Sequence, residues 1–513
     1  MSSILTNNSA MVALDTLRGI NKSLSTVQNE ISTGKTVSNA KDNAAVWAIS
    51  TVMSTDVQSF EQISDSLNKG TATVGLARSA SEEVTSLLQD MKELVVSAQE
   101  DLSDSDRETI QTDIDNLSTQ ISNIVSSAQF NGVNLVEGTD DVNFLASLNR
   151  SSDGTVSTSN ITVSRQDLTS SAGVYGTGDS LADNITASAA TIDSTGVANQ
   201  LELTYAQASS GTDDWSLTVN GSEVTVSWDT DATTTVSAMA DAINQLGLTG
   251  ISADSSAGEL QIINTNAFET FDVSWDTGGT NTVAVTNNWD SDDDVTATAG
   301  SGSATLGYRA EEVAMSTSAQ VNDGDSYRIT VNGTNYNYVA GKSETMEDVA
   351  KGLKTAIDAG GETGVTTSVV KEDDQWKVLV DYDGTDTDAG TTMTLTDAGQ
   401  ADGTASGGLF GLDNIDVTSA TDAAAALDNV ETLLSNAISA ASAFGSSQKQ
   451  IESQTEFVQT LIDSMTTGIG AMVDADMEAA SAKLQALQVQ QQLGVQALSI
   501  ANSSPQTLLS LFG

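Results

Sequence analysis

The chain has 513 residues, 70 of them acidic and 19 basic, for a net charge of −51; it holds one proline, no cysteine and no histidine. Disulfides, thiolate metal sites, thiol nucleophiles and histidine-based catalytic triads are excluded. Such a charge repels nucleic acid and anionic membrane surfaces, so neither is an expected partner.

From the N-terminus, Met1 to Asn8 carry neither a basic segment nor an unbroken apolar one, so no cleaved secretory signal is expected. No run of about 18 apolar residues predicts a membrane span. Ala13, Leu17, Ile20, Leu24, Val27 and Ile31 then recur at alternating spacings of four and three, the heptad of a helix that wants a helical partner. A longer seam runs from Val46 through Ile49, Met53, Asp56, Phe60, Ile63, Leu67, Gly70, Val74, Ala77, Ser81, Val84, Leu88 and Met91 to Val95. At 1.5 Å per residue it predicts a rod of roughly 75 Å. Ser105-Asp106-Arg107-Glu108 reads as a capping box opening a third helix over Ile110, Ile114, Leu117, Ile121 and Ile124. Asn131-Gly132 signals a tight turn into strand.

Residues 151–410 read as β-rich and hold all seven tyrosines and five of the six tryptophans. They contain a degenerate repeat. Trp215-Ser216-Leu217-Thr218-Val219-Asn220-Gly221 matches Tyr327-Arg328-Ile329-Thr330-Val331-Asn332-Gly333, each predicting a hairpin, then a helix (Val236, Met239, Ala240, Ile243; Met346, Val349, Ala350, Leu353), then a strand. Two ββαβ-like modules follow, at about 201–300 and 305–400. The acidic runs Asp381 to Asp388 and Asp290 to Asp294 could offer oxygen ligands to calcium, but they lack the EF-hand pattern and read as solvated turns. No phosphate-cradling glycine loop and no catalytic constellation occurs, so neither enzyme activity nor a cofactor is expected.

The C-terminal end mirrors the N-terminal one. Leu427, Val430, Leu434, Ala437, Ala441, Phe444, Gln448, Ile451, Thr455, Val458, Ile462 and Met465 form another long seam. The last helix carries two apolar faces: Met477, Ala480, Leu484, Leu487, Gly494, Leu498 and Ala501 on one, Ala482, Ala486, Val489, Leu493, Ala497 and Ile500 on the other. Ser504-Pro505 predicts its end. A two-faced helix at a chain end cannot bury both faces against one neighbour, which points to other copies of the chain. Charge agrees: 1–40 with 471–513 hold 5 acids and 4 bases, whereas 151–410 hold 39 acids and 8 bases. A near-neutral interior and an acidic exterior suit a polymer.

Several motifs resemble a known family. Ile31 to Ala45, Leu88 to Ala98 and Phe130 to Gly138 are similar to N-terminal segments of bacterial flagellins, as are Phe444 to Gln448, Val473 to Met477 and Ala501 to Leu511 to C-terminal ones. The repeats resemble a small outer module of that family marked by Ile-Asn, here Ile243-Asn244, with Leu353-Lys354 in the second copy. The resemblance implies an α+β multi-domain protein. Its antiparallel helical coiled-coil and bundle core comes from both chain ends, and a β-rich insert lies between them. The expected parts are a terminal coiled-coil domain (1–40, 471–513), a helical wall with a β-hairpin region (41–150, 411–470) and a surface-exposed outer part (151–410). The assembly core is expected to use Ala13, Leu17, Ile20, Leu24, Val27, Ile31, Leu484, Leu487, Val489, Leu493, Leu498 and Ile500. The implied function is the secreted subunit of the flagellar filament. Alternatives are a hook–filament junction protein or an adhesin displayed through the outer part. Implied partners are copies of itself, the type III export apparatus and its chaperone, and hook-associated and cap proteins. In flagellins that the animal Toll-like receptor 5 detects, arginine usually stands at the position of Asp90. Leu88, Gln89, Glu93 and Leu94 fit that motif, but Asp90 reverses a charge within it and leaves such recognition in doubt. The Gln488 to Gln492 segment resembles α-proteobacterial members.

Overall fold

The computed structural model describes residues 7–151, 155–193, 200–206, 214–227, 231–256, 258–277, 282–288, 298–384 and 391–511. Among them run α1 (Asn8–Thr33), α2 (Ala44–Ala98), α3 (Asp104–Ser127), α4 (Ala232–Gln245), α5 (Met346–Gly360), α6 (Ala420–Val473) and α7 (Met477–Leu511), with antiparallel sheets between α3 and α6. The expected combination of helical ends and a β-rich insert is what the chain adopts. Two compact units form: Met1–Val74 with Val142–Val163 and Ser446–Gly513, and Gly75–Asp141 with Ser164–Gly445.

In the first unit, α1 starts at Asn7, whose Oδ1 accepts the Ala10 N–H at 3.1 Å, and stops at Gly34 with φ 69°. The α1–α2 connection pairs with the α6–α7 connection: Thr36 N–H donates to Val473 O (2.7 Å) and Ala475 N–H to Gly34 O (2.9 Å). The hairpin Val142–Arg150/Val156–Val163 packs on the two long helices and accounts for two breaks in the α2 seam. Asp56, 9% exposed, receives Arg150 Nη2 at 2.5 Å and Nε at 3.2 Å. Gly70 makes room for an aromatic ring, since a Cβ there would lie 3.0 Å from Phe144 Cγ. Two of the three irregular seam positions are thus docking points for the hairpin, whereas Ser81 returns its hydroxyl to Ala77 O at 2.9 Å. Gln454 Nε2 on α6 secures it from the other side through Ala146 O at 2.9 Å.

In the second unit, the later part of α2 lies along the early part of α6: Val84, Leu88, Met91 and Val95 are buried on one, Val430, Ala437 and Phe444 on the other, and Lys92 and Gln99 bond Glu431 and Ala423 O across the pair. Helix α3 is capped two residues earlier than the sequence predicts: Ser103 Oγ accepts from Asp106 N–H, and Asp106 rather than Glu108 returns the contact. Both sites fit the capping pattern and place two acids in the positively polarised first turn, but the earlier one keeps the cationic Arg107 out of its first three positions, and Arg107 Nη2 donates back to Glu100 O at 2.8 Å.

Both expected modules are present in this unit. In the first, the hairpin Trp215–Val219/Ser222–Val226 leads into α4 and the pair Ile251–Ser256/Glu259–Asn264, around a core that includes Trp215, Val236, Met239, Ile243 and Trp275. In the second, Ser326–Val331/Thr334–Val339 leads into α5 and Val365–Glu372/Gln375–Tyr382, around Tyr327, Val349, Leu353 and Tyr382. The second module also recruits strands from before the first. Ile185–Ala187 pairs with Glu311–Met315, and Thr191–Asp193 with Thr392–Gln400. The first module is therefore inserted within the second.

The repeat diverges at one helical position. Asn244 on α4 hooks the neighbouring strand, donating to Ala253 O at 2.7 Å and accepting from Ala253 N–H at 2.8 Å. Its counterpart Lys354 on α5 is 3% exposed and turns to α6. Lys354 Nζ donates to Asp358 Oδ2 (2.8 Å), Asn429 Oδ1 (3.0 Å) and Ala425 O (3.3 Å). Asn429 Nδ2 and Thr367 Oγ1 complete the Asp358 carboxylate at 3.0 and 2.5 Å.

Candidate assembly interface

Helices α1 and α7 pack antiparallel. Their partners are Gly34 with Ala475 at one end, Asn21 Oδ1 with Gln491 Nε2 (2.7 Å) midway, and Asn7 with Ala501 at the other end. Between these, Val27, Ala480 and Leu487 are buried, with Ile20, Leu24, Ile31 and Leu484 partly buried against them. Gly494 permits a close approach: a Cβ there would sit 3.0 Å from Leu17 Cδ1. Ala13, Leu17 and Leu498 are half-buried as well.

The predicted second face of α7 is bare. Val489 is 56% exposed, Leu493 59% and Ile500 70%, and Ala482, Ala486 and Ala497 beside them are also exposed. On α1, Met11 and Val12 are 61% and 67% exposed. Fully burying each large apolar side chain is worth about 1.5–3 kcal/mol. The twelve residues expected to build an assembly core therefore divide into a seam between α1 and α7 and an outer stripe of Val489, Leu493 and Ile500.

The predicted stop at Pro505 does not occur, for α7 continues to Leu511. Proline removes one intrahelical bond, the one its N–H would give to the carbonyl four residues back. That carbonyl belongs to Ala501, and Asn7 Nδ2 donates to it at 2.8 Å. Sequence reasoning missed Asn7. Its position before the first apolar residue marks it as a cap, but nothing in the sequence signals its second bond.

In the receptor-like motif on α2, Leu88 is buried, Gln89, Asp90 and Glu93 are exposed and Leu94 is half-buried. Lys92 Nζ reaches Glu431 on α6 at 2.5 Å. Asp381, considered as an ion ligand, is 2% exposed and held by Arg309 through Nε (2.8 Å) and Nη2 (2.6 Å). The rest of that run from Thr385, and Asp290 to Asp294, lie outside the described residues. No three acidic side chains among the described residues are placed to hold a metal ion. A cavity of about 270 Å³ is lined by Arg165, Lys342, Glu344 and Asn436 among others. Burial pushes the Glu344 carboxyl up to about 7; hydrogen bonds from Gly341 N–H and from Tyr338 O–H (2.9 Å) oppose the shift, and the Asp348 and Asp323 carboxylates add to it. Burial, with Glu344 beside it, pushes the Tyr338 phenol well above its ordinary value.

The chain resembles known proteins at both ends and along its length. Residues 4–141 match the bacterial flagellin N-terminal helical region, and 427–512 the C-terminal helical region. Over their full lengths the chain is 30% identical to Flagellin A and 31% identical to a Flagellin D, both of Rhizobium meliloti. A flagellin of Brucella melitensis is 41% identical over 33% of this chain and 59% of its own. Among solved structures, a flagellar hook associated protein-3 from Legionella pneumophila covers 82% of this chain and 98% of its own, at 11% identity and a TM-score of 0.33; at that score the likeness decides nothing.

Proposed function

This chain belongs to the bacterial flagellin family and is a structural subunit of the extracellular flagellar filament, and from that premise we propose which of its surfaces builds the polymer. The terminal parts, 1–40 and 471–513, form the assembly core. Ala13, Leu17, Ile20, Leu24, Val27, Ile31, Leu484, Leu487 and Leu498 hold α1 to α7 within a subunit. Val489, Leu493 and Ile500 then join the pair to its neighbours. The observation that carries this reading is the exposed apolar stripe on α7 in a segment that is nearly uncharged. Packing of another copy on that stripe would remove its contact with water, and repetition along a filament multiplies the gain.

The helical parts 41–150 and 411–470 would form the wall around that core, and 151–410 the outward layer. The net charge of −31 on the latter favours solvent over a packed interior. Export through the type III apparatus with a chaperone, docking to hook-associated proteins and growth beneath a cap belong to the same proposal, as does the lack of any catalytic role. Asp90, exposed on α2, would present acceptors where a receptor of the Toll-like receptor 5 type meets a guanidinium, weakening that contact. Full-length similarity to flagellins favours a filament subunit over a junction protein.

The test is Leu493→Asp. A carboxylate on the stripe would be desolvated in every interface of the polymer. We expect secreted, folded monomer and no filaments by negative-stain electron microscopy; normal filaments would refute the placement of the stripe.

A further inference from the structure

We propose that Asn7 is the register clasp of the terminal helix pair, its one side chain capping α1 and replacing the hydrogen bond that Pro505 removes from α7. This rests on the reading of the α1–α7 pair as the assembly core. Pro505 is the chain's only proline, so Ala501 O is the one interior helix carbonyl deprived of its donor by a proline. Asn7 Nδ2 fills that vacancy at 2.8 Å while Oδ1 accepts Ala10 N–H at 3.1 Å. Only one orientation of the amide satisfies both, because the flipped group would set oxygen against the Ala501 carbonyl and nitrogen against the Ala10 N–H.

The register needs such a device. Heptad seams tolerate a slide of seven residues, since apolar positions come back into alignment. The contacts of Ile20 and Leu24 with α7 are apolar and non-directional and discriminate poorly between registers; Gly494 opposite Leu17 and the solvent-exposed Asn21–Gln491 bond favour the observed register but leave it without a fixed point at the open end of the pair. A polar group with one permitted partner discriminates well, as buried asparagines do in coiled coils. Interior carbonyls of α7 elsewhere already accept from the N–H four residues on. Ala501 O is free, and only the observed register brings Asn7 to it. At the opposite end the pairing of Ala475 N–H with Gly34 O fixes the connection, so the helices are pinned at both ends of roughly 40 Å of seam. Proline in this view is not a helix stop but the source of the single acceptor that Asn7 reads.

The experiment is a double-mutant cycle on full-length protein, with the critical monomer concentration for seeded polymerisation as readout. Asn7→Asp keeps the capping oxygen and suits the helix N-terminus electrostatically, so a capping role alone predicts no loss. It replaces the donor with an acceptor facing Ala501 O. We expect the critical concentration to rise about tenfold. In a Pro505→Ala background, residue 505 supplies its own N–H to Ala501 O, and Asn7→Asp should then cost less than about twofold. Wild-type assembly by Asn7→Asp, or the same rise in both backgrounds, overturns the clasp. Leu484→Asp, measured alongside, separates the two levels. Normal filaments from Leu484→Asp overturn the assembly-core reading and the clasp with it, whereas blocked Leu484→Asp with normal Asn7→Asp overturns the clasp alone.

Discussion

Replacing Lys354 with methionine tests whether one buried cation fixes the second module to α6. Methionine fills similar volume and removes the ammonium. Asp358, whose side chain is 12% exposed, would keep the neutral donors Asn429 Nδ2 and Thr367 Oγ1 but lose its cation. Asn429 Oδ1 and Ala425 O would each lose a donor in a largely buried setting. Breaking a buried pair from one side costs about 3–5 kcal/mol. The two remaining donors put this case near the lower figure, about 3 kcal/mol. Where local opening governs hydrogen exchange, that corresponds to amides exchanging on the order of a hundredfold faster. The assay is hydrogen–deuterium exchange with mass spectrometry on full-length monomer, following α5 and the α6 segment 425–431. Helix α4 is the internal control, because its Asn244 bonds only within the first module. Lys354→Met with Asp358→Asn removes the stranded charge and should recover about half of the loss. Exchange in α5 within threefold of wild type, or equal acceleration in α4, would refute the latch.

Glu344 makes the second module pH-sensitive. Its carboxyl binds a proton more tightly folded, at about 7, than unfolded, so its contribution is complete below the ordinary carboxylate range and fades as pH rises toward and past 7. Glu344→Gln should flatten the fall in module stability between about pH 5 and 8, by up to about 3 kcal/mol, as read by urea unfolding at several pH values; an unchanged slope would refute this. Gly352→Ala puts a Cβ 2.3 Å from Tyr338 Cδ2 and should lower the module's stability by about 1–3 kcal/mol in the same assay, with wild-type stability the refuting result. The proposed outward placement of the acidic residues 151–410 predicts salt-promoted polymerisation, through screening of repulsion between neighbouring subunits. Leu181 N–H bonds Gly399 O at 2.8 Å, so joining these residues with a short linker deletes both modules cleanly; the deletion should polymerise with weaker salt dependence, and equal dependence in turbidity assays would move the repulsion to the helical wall.

Much of this architecture was legible in the residues. The period of α2 and α6 and the two faces of α7 follow from apolar spacing, and the hairpins at Asn220-Gly221 and Asn332-Gly333 from turn chemistry. Even the polar seam positions were informative, since Asp56 and Gly70 mark where the hairpin 142–163 docks. What stayed hidden is non-local. Ile185–Ala187 and Thr191–Asp193 carry no sign that their partners lie beyond residue 310. Lys354 looked like a lapse in the module motif, because burial of a lysine depends on acceptors supplied by a helix far along the chain. Pro505 obeyed its local preference on paper and lost to a donor almost five hundred residues away.

The Asn-Gly turns carry a chemical clock. Asn131, Asn220 and Asn332 all adopt positive φ (51°, 47° and 49°) with an exposed glycine following, as hairpin turns of mirror-image type require. The same dipeptide is prone to cyclise to a succinimide with loss of ammonia from the asparagine carboxamide, since glycine offers no side chain to hinder attack by its amide nitrogen on that carbonyl carbon. Hydrolysis of the ring leaves aspartate or isoaspartate, the latter lengthening the main chain by one atom. In a filament whose subunits stay where they are added, each subunit keeps its own age. The oldest subunits would therefore collect extra negative charge and misfitted turns at the hairpin tips, a record of age that peptide mapping of sheared filaments could read along their length.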